Sequence, residues 1–268
     1  MVKLTFNPPI IQSAMAGIAN RSFCQEMLDY GAGMCILGAY PLDKMNNLAS
    51  KAVIKRGRKE FVVEITNTNA ESWSRRHFEI IKKNKQQLIA INVRLVKIDE
   101  LSKILLPSIT HYVDIIELNA HCRQKEILDI GGGQNLALEP KKLLNLIEEI
   151  KQLVDAEIGI KIRGLNSHKL LENIDLFEKE NISYLHVDCM IQGKNKADLQ
   201  YIKDIASITN IPIIGNNSVR SISDINEMLD AGAIAVSLAR PLLDNRKFMA
   251  KLISEWRKEN EFWHNYTF

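Results

Sequence analysis

Short runs of β-branched and other apolar residues recur along the whole chain and alternate with segments of helical periodicity. The segment at about 140–153 shows that period clearly, because four apolar residues fall on one helical face: Leu143, Leu144, Ile147 and Ile150. Near-continuous apolar runs are typical of parallel strands that are buried on both faces. Eight such runs occur, at residues 10–14, 34–39, 88–94, 113–119, 157–163, 183–188, 211–215 and 233–238. This order predicts an α/β fold, a (β/α)8 TIM barrel, with a doubly wound open sheet as the alternative.

A ninth strand-like run, FVVEIT at 61–66, does not fit the eightfold repeat. We place it in a long excursion between strands 2 and 3, residues 40–86, where we expect partial structure. The length allows one large domain or two small ones, and a barrel of this type uses roughly 250 residues as one domain. The sequence therefore predicts a single domain over 1–268, with the excursion at 40–86 as an insertion.

Composition places the chain among ordinary globular proteins. Of its 268 residues 46% are hydrophobic and 25% are charged, and the net charge is +3. These values exclude intrinsic disorder, collagen-like repeats and a disulfide scaffold, and so small a charge does not by itself indicate nucleic-acid binding. None of the four cysteines forms a C-x-x-C pair, and no metal is expected. Free thiols, with no signal peptide and no run of about 20 apolar residues, predict a soluble cytoplasmic protein without membrane contact.

Polar residues gather where the predicted strands end, which is where barrels of this class carry their chemistry. The sharpest cluster is the sequence N-A-H-C at 119–122, directly after strand 4. A thiol at this place can donate or accept a proton, and His121 would stabilise a Cys122 thiolate if the two side chains face each other. The alternative is a buried apolar cysteine, which is the interpretation we give to Cys24 and Cys35.

Two cations alternate with isoleucines at the end of strand 5. Because side chains two residues apart share a face of a strand, Lys161 and Arg163 both point into the barrel mouth or both point away. A buried unpaired lysine is costly, so an anionic ligand or an electron-rich ring would satisfy it. Pairing of Lys161 with a carboxylate such as Glu117 or Asp188 is the alternative.

The last two predicted strands are followed by residues typical of a phosphate site. G-N-N-S at 215–218 follows strand 7, and Ala239 and Arg240 follow strand 8. In barrels of this class the loops after strands 7 and 8 often bind phosphate through backbone N–H groups, and Arg240 could add a bidentate contact.

Two other segments bear on partners. KAVIKRGRK at 51–59 predicts a solvated basic surface, with RNA contact as the sharper alternative. Its cations are Lys51, Lys55, Arg56, Arg58 and Lys59. The tail at 255–268 is too apolar for a free end and predicts docking against the barrel or an oligomer contact. Its aromatic residues are Trp256, Phe262, Trp263, Tyr266 and Phe268.

Several segments match one family when they are taken together. The matching segments are SAMAG at 13–17, DIIELNAHCRQKEILDIGGGQNLALEP at 114–140, GIKIR at 159–163, IPIIGNNSVRSISD at 211–224 and GAIAVSLAR at 232–240. They resemble, over nearly the whole chain, the tRNA-dihydrouridine synthases, a family of flavin-dependent (β/α)8 enzymes. That family has a Gln on strand 3, 27 residues before the Asn of strand 4, which corresponds to Asn92 here. The spacing supports 88–94, and not 61–66, as strand 3.

The resemblance implies that FMN lies across the barrel mouth and carries a hydride to or from C6 of a uracil ring. Cys122 would then exchange a proton with C5, Lys161 would contact the flavin, and NAD(P)H is a candidate electron donor. The implied contacts of the isoalloxazine ring are Met15, Ala16, Asn92, Asn119 and Lys161. Those of the phosphate are Asn216, Asn217, Ala239 and Arg240.

The chain departs from the family pattern at several places. N-x-G-C-P is N-A-H-C-R here, with His121 and Arg123 in place of Gly and Pro, and the family's strand-6 His aligns with Asp188. We expect His121, Arg163 and Asp188 to face the substrate. The family's C-terminal helical RNA-binding domain is not expected in 268 residues, so we favour a small pyrimidine-like substrate, or an RNA uridine delivered by a partner, over free tRNA. A dihydroorotate dehydrogenase-like enzyme and a non-catalytic flavin-binding protein are the alternatives.

Overall fold

Eight parallel strands form a closed barrel in the computed structural model of the chain, which describes residues 4, 6–61, 70–82, 84–164, 167–191, 193–194 and 196–264. The strands are β1 (Ile10–Gln12), β2 (Met34–Pro41), β3 (Leu88–Arg94), β4 (Ile115–Ala120), β5 (Glu157–Arg163), β6 (Tyr184–Asp188), β7 (Ile213–Asn216) and β8 (Ala235–Leu238). Each strand pairs with the next in chain order, and β8 closes the ring by pairing with β1. The predicted (β/α)8 TIM barrel is confirmed, and the open-sheet alternative is wrong because the sheet has no free edge.

Helices surround the barrel and cover the outward faces of the strands. They are α1 (Arg21–Asp29), α2 (Lys44–Lys55), α3 (Ala70–Phe78), α4 (Glu100–Thr110), α5 (Lys125–Leu128), α6 (Gln134–Ala137), α7 (Pro140–Leu153), α8 (His168–Leu171), α9 (Ile174–Lys179), α10 (Leu199–Ile208), α11 (Ile222–Asp230), α12 (Pro241–Asp244) and α13 (Phe248–His264). The apolar face of α7 is buried at Leu143, Ile147 and Ile150, as its periodicity predicts, whereas Leu144 is half-buried and Leu146 is buried as well. No helix in the described part of the chain is long and apolar enough to cross a membrane.

The inward-facing positions of the strands change from apolar to polar towards their carboxyl ends. Side chains from seven strands fill the lower barrel: Ile11, Met34, Ile36, Ala90, Ile115, Tyr184, Ile214 and Ala235. Gly159 leaves space for the Tyr184 ring, which a Cβ there would overlap. Two residues further along, on the same faces, the buried side chains are polar: Asn92, Glu117, Lys161, His186, Asn216 and Ser237. The polar layer therefore lies at the end of the barrel where the βα loops begin.

The excursion between β2 and β3 folds against the barrel through an aromatic cluster. The rings of Trp73 and Phe78 on α3 lie edge to face at 5.1 Å, and Phe78 meets the Tyr40 ring of β2 at 5.2 Å. Gly17, in the loop after β1, approaches the carbonyl of Glu60 so closely that a Cβ would overlap it. This approach brings the segment before residue 62 over the barrel mouth. Of the ninth strand-like run, Phe61 is buried, while residues 62–66 lie outside the described part of the chain.

The C-terminal helix α13 packs on the barrel through Met249, Leu252 and Ile253, which are buried. Trp256 is half-buried against the same core, in agreement with docking of the tail. The predicted contributions of Tyr266 and Phe268 lie outside the described residues, and an oligomer contact through this tail stays a prediction.

Candidate active site

A pocket of about 420 Å³ opens at the carboxyl end of the barrel, which is within the range of small-molecule and cofactor sites. Ten of the residues singled out from the sequence line it: Met15, Ala16, Asn92, Asn119, His121, Cys122, Lys161, Arg163, Ala239 and Arg240. Asn216 and Asn217 line a smaller neighbouring cavity. Asp188, the last residue of β6, contacts two of the pocket residues, His121 and Arg163. The structure therefore gathers residues that are far apart in the sequence, but their roles toward ligands stay predictions.

A series of hydrogen bonds with a single polarity orients the two pocket amides. Glu117 Oε1 accepts from Asn92 Nδ2 at 2.6 Å, and Asn92 Oδ1 accepts from Asn119 Nδ2 at 2.8 Å. Asn119 Oδ1 then accepts from the backbone N–H of Cys122 at 2.9 Å and of His121 at 3.2 Å. Because a carboxylate can only accept, the charge of Glu117 sets both amides and the start of the cysteine loop. Each amide nitrogen has a second hydrogen that this series does not use.

Glu117 holds its negative charge although it is fully buried. Burial alone would raise the pKa of Glu117, but His186, Lys161 and Asn92 outweigh that cost and bring it to about 2. His186 Nδ1 lies 2.6 Å from Glu117 Oε2, and Tyr184 donates to the same oxygen at 3.1 Å. Burial lowers the pKa of His186, so the ring is neutral and donates from Nδ1 to the carboxylate.

The ammonium group of Lys161 lies in this polar layer and donates to Ser13 Oγ at 2.7 Å. The side chain is buried, and burial lowers the pKa of Lys161, while the charges of Glu117 and Asp188 oppose that shift. The alternative of a direct ion pair between Lys161 and one of these carboxylates is therefore not the observed arrangement. A donor of this kind, with capacity for further hydrogen bonds, suits an electron-rich or anionic ligand.

His121 lies in a compact ionic group on the β5 and β6 side of the pocket. Asp188 Oδ2 is 2.7 Å from His121 Nε2 and 3.0 Å from an Arg163 nitrogen, and Asp188 Oδ1 accepts from Asn217 at 2.9 Å. Burial, together with the charges of Lys161 and Arg163, lowers the pKa of His121 to about 4. Burial alone would raise the pKa of Asp188, but its hydrogen bond with His121 and the charge of Arg163 hold it well below its usual range.

The protonation state of this group follows from its geometry. A neutral His121 that donates from Nε2 to Asp188 leaves its Nδ1 as a bare acceptor. Arg163 also lies 2.8 Å from His121 Nε2, but a protonated nitrogen cannot accept, so Arg163 donates to Asp188 instead. The ring is therefore fixed from one side and keeps one nitrogen free to take a hydrogen bond.

A cavity of about 50 Å³ lies between the loops that follow β7 and β8. Asn217, Ser218, Arg220 and Arg240 contribute polar groups to its lining, and no acidic residue is among the described residues that line it. Asn217 and Ser218 both have positive φ, 102° and 61°, which non-glycine residues adopt rarely. Arg240 is held by a hydrogen bond to Asn217 Oδ1 at 3.0 Å. This donor-rich lining suits a phosphate group.

The three cysteines for which the sequence makes a prediction separate as expected. Cys24 and Cys35 are buried, whereas Cys122 is half-buried and lines the pocket. The Cys122 carbonyl accepts from the backbone N–H of Gln134 at 3.0 Å, and Gly133 comes so close that a Cβ would overlap that carbonyl. The glycine-rich stretch after the cysteine therefore fixes the loop from behind.

The predicted basic surface is exposed, but two of its cations are already paired. Arg56 forms a bidentate contact with Glu126 at 2.6 and 3.0 Å and also reaches Gln124, so α2 is connected to the cysteine loop. Arg58 pairs with Glu60 at 2.5 Å. The remaining three cations have exposed side chains: Lys51, Lys55 and Lys59.

Arg94 is a charged pocket residue that sequence reasoning missed. It is the last residue of β3, only 2% exposed, and it lines the same pocket as Cys122. The signal that could have found it is the alternation already applied to β5, because Arg94 stands two residues after Asn92 and shares its inward face.

Comparisons with known proteins agree with this architecture. A sequence model of the family described as dihydrouridine synthase (Dus) matches residues 12–266. An uncharacterized protein of Methanocaldococcus jannaschii is 40% identical over 256 residues, with 94% of each chain covered. A probable tRNA-dihydrouridine synthase of Rhizobium leguminosarum bv. phaseoli is 24% identical, over 86% of this chain and 67% of that protein.

Among solved structures, DHODH of Eimeria tenella in complex with ferulenol superimposes with a TM-score of 0.64 at 12% identity. That alignment covers 93% of this chain and 80% of the other, and at such low identity it shows the fold alone. The family match, in contrast, spans nearly the whole barrel, including the loops after β4, β7 and β8 that line the two cavities. The chain therefore belongs to the dihydrouridine synthase family.

Proposed function

We propose that this protein is an FMN-dependent oxidoreductase that adds hydrogen to, or removes it from, the C5–C6 bond of a uracil-like ring. The observation that carries the proposal is that Cys122 and Lys161 line the same pocket at the barrel mouth. Beside it lies the smaller cavity, which has no acidic residue among its described lining residues. Family membership supports the same class of chemistry.

The residues present fit FMN. Lys161 offers a buried ammonium group with one hydroxyl partner, and Asn92 and Asn119 each keep an amide hydrogen for the flavin ring. Asn217 and Arg240 would hold the phosphate in the smaller cavity, with Asn216 and Ala239 in its wall. Met15 and Ala16 would contact the flavin ring from the loop after β1. When bound, FMN supplies or accepts the hydride that is exchanged with C6 of the substrate ring.

Cys122 moves the proton that balances this hydride. In the reducing direction the S–H bond breaks and a C5–H bond forms, which leaves a thiolate that is reprotonated from water. In the oxidising direction the thiolate takes the proton from C5. The loop that carries the thiol is fixed by Asn119 on one side and by Gly133 and Gln134 on the other, so the sulfur needs little reorganisation to reach the ring.

His121, Arg163 and Asp188 orient the substrate in this proposal. The bare Nδ1 of His121 can accept a hydrogen bond from an N–H of a uracil-like ring, and Arg163 can donate to a ring carbonyl. Asp188 keeps both partners in place through its two short contacts.

The test is substrate-dependent reoxidation of the flavin. Purified protein should show flavin absorbance and release FMN, and the flavin, once reduced with NADPH or dithionite without oxygen, should be reoxidised by a uracil-type compound. Cys122→Ala should keep the flavin and slow this reoxidation by about 10²–10⁴-fold, as expected for a lost acid or base.

Cys35→Ala is the matched control, because it removes a buried thiol of β2 that does not line the pocket. It should keep the wild-type rate. A protein that binds no FMN, or a Cys122→Ala variant with the wild-type rate, would refute the proposal. Binding of FMN without reoxidation by any pyrimidine would favour a non-catalytic flavin protein.

A further inference from the structure

Arg94 carries a buried positive charge that has no carboxylate partner among the residues the structure describes. Its guanidinium donates one hydrogen bond, to the neutral hydroxyl of Ser50 at 3.1 Å, and lies over the Phe61 ring at 4.7 Å. The Nε–H is buried without a hydrogen-bond partner. Burial lowers the pKa of Arg94 to about 10, which still leaves the group charged at neutral pH.

An arrangement of this kind is costly for the protein alone. Taking a cation out of water costs several kcal/mol unless a carboxylate or another anion compensates it, and a hydroxyl and an aromatic ring compensate only part. Arg163, which is half-buried at the barrel mouth, has its carboxylate in Asp188. Arg94 therefore has the features of a group whose charge an anionic ligand would compensate.

The position of Arg94 determines which anion can reach it. It ends β3 and lines the same pocket as Cys122 of the β4 loop. The cavity proposed for the FMN phosphate lies after β7 and β8, and in a closed ring of eight strands β3 and β7 are opposite each other. An anion on Arg94 therefore lies on the side of the reacting thiol and belongs to the substrate.

We infer that Arg94 binds an oxyanion attached to the uracil-like ring that reacts beside Cys122, so that the substrate class is an anionic pyrimidine. The oxyanion is a carboxylate on the ring or the phosphate of a uridine nucleotide, since the guanidinium fork binds both in the same way. This inference rests on the proposed function for the identity of the ring, but not for the anion site itself.

The experiment is a binding titration of the oxidised protein with three probes: uracil, orotate and uridine 5′-monophosphate. Wild-type protein should bind at least one of the two anionic probes about tenfold or more tightly than uracil. Arg94→Gln should weaken that probe about 10- to 100-fold, the range of a lost hydrogen bond to a charged group, and leave uracil unchanged. The probe that responds identifies carboxylate or phosphate.

Lys103→Gln is the matched control, because it removes an exposed cation of α4 that is far from the pocket lining. Arg94→Lys keeps the charge without the planar guanidinium group and should retain part of the affinity for the anionic probe. It replaces Arg94→Gln as the test variant if Arg94→Gln does not fold. The inference is overturned if both anions bind no better than uracil, or if Arg94→Gln weakens all three probes equally. If the protein retains no FMN, the proposed function fails, while the same titration of the flavin-free protein still tests Arg94.

Discussion

Replacement of Asp188 by asparagine tests the ionic group at the β6 end most directly. The substitution keeps size and shape but removes the charge that compensates Arg163, whose side chain is 14% exposed, while that of Asp188 is 6% exposed. In either orientation the new amide nitrogen would face a donor, because His121 Nε2 and Arg163 donate to one carboxylate oxygen and Asn217 Nδ2 donates to the other.

The expected loss of unfolding free energy at pH 7 is roughly 3–5 kcal/mol, the range for breaking a buried ion pair from one side. The control is Asp129→Asn, which makes the same chemical change in the pair between Asp129 and Lys125. That pair is shorter, at 2.6 Å, but its side chains are 56% and 81% exposed. Solvent screening limits its contribution to about 0–1 kcal/mol. Ranked by distance, the Asp129 pair would contribute more to stability, but ranked by burial, the Asp188 pair would contribute more.

Urea unfolding followed by circular dichroism measures both variants. If Asp188→Asn costs less than 1 kcal/mol, or no more than Asp129→Asn, then the reasoning from burial is wrong. Arg163→Gln combined with Asp188→Asn should cost less than the sum of the two single changes, because the second substitution removes the charge that the first left unpaired.

The same pair predicts a pH dependence of known sign. The pKa of Asp188 lies below its unfolded value of about 3.9, so its stabilisation is complete above that pH and is lost as the pH falls through the folded pKa. The difference in unfolding free energy between wild type and Asp188→Asn should be constant from about pH 5 to pH 8 and should narrow below about pH 4. A difference that grows on acidification would contradict the assignment of the charge.

Three other outcomes are expected. Arg240→Ala should weaken FMN binding by roughly 1.5–3 kcal/mol, because it loses a charged hydrogen bond to phosphate, and flavin fluorescence titration measures this; unchanged affinity would remove Arg240 from the site. Gly133→Ala should displace the Cys122 carbonyl and slow reoxidation while the FMN affinity stays the same; a wild-type rate would show that the loop tolerates the added methyl. Any binding of bulk tRNA through the surface at 51–59 should fall with salt, with a slope of about −0.7 per single-strand phosphate contacted, and reversal of Lys55 and Lys59 should abolish it; salt-independent binding would exclude this surface.

The pattern of the sequence was sufficient to predict the barrel and the end of the barrel at which the candidate site lies. Eight buried apolar runs require strands that are covered on both faces, and a closed parallel barrel satisfies all of them without an edge. The separation between Asn92 and Asn119 selected the correct third strand, and the two side chains are hydrogen-bonded at 2.8 Å. Strand periodicity also placed Lys161 and Arg163 on one face of β5, and the structure shows that this face lines the pocket.

The sequence could not determine which partner each polar side chain would take. Lys161 was expected to pair with a ligand or with a carboxylate, yet it donates to Ser13, which is 148 residues away in the chain. Arg94 was not singled out, because its significance depends on the lack of a carboxylate beside it among the described residues, and neighbours across a barrel are not visible in a linear pattern. Segment 62–66, with the strand-like run, lies outside the described residues, so its prediction stays open.

The sequence by itself therefore determined the order of the elements, the direction of the strands and the end of the barrel at which polar groups collect, because these depend on local periodicity and on burial. Only the tertiary structure decided the polarity of the hydrogen bonds from Glu117 to Cys122, the pairing of Asp188 with His121 and Arg163, and the contacts of Arg94 with Ser50 and Phe61. Those features depend on distances between side chains that the closure of the barrel brings together. The energy of a hydrogen bond or an ion pair changes strongly when the distance between its partners changes by about an ångström.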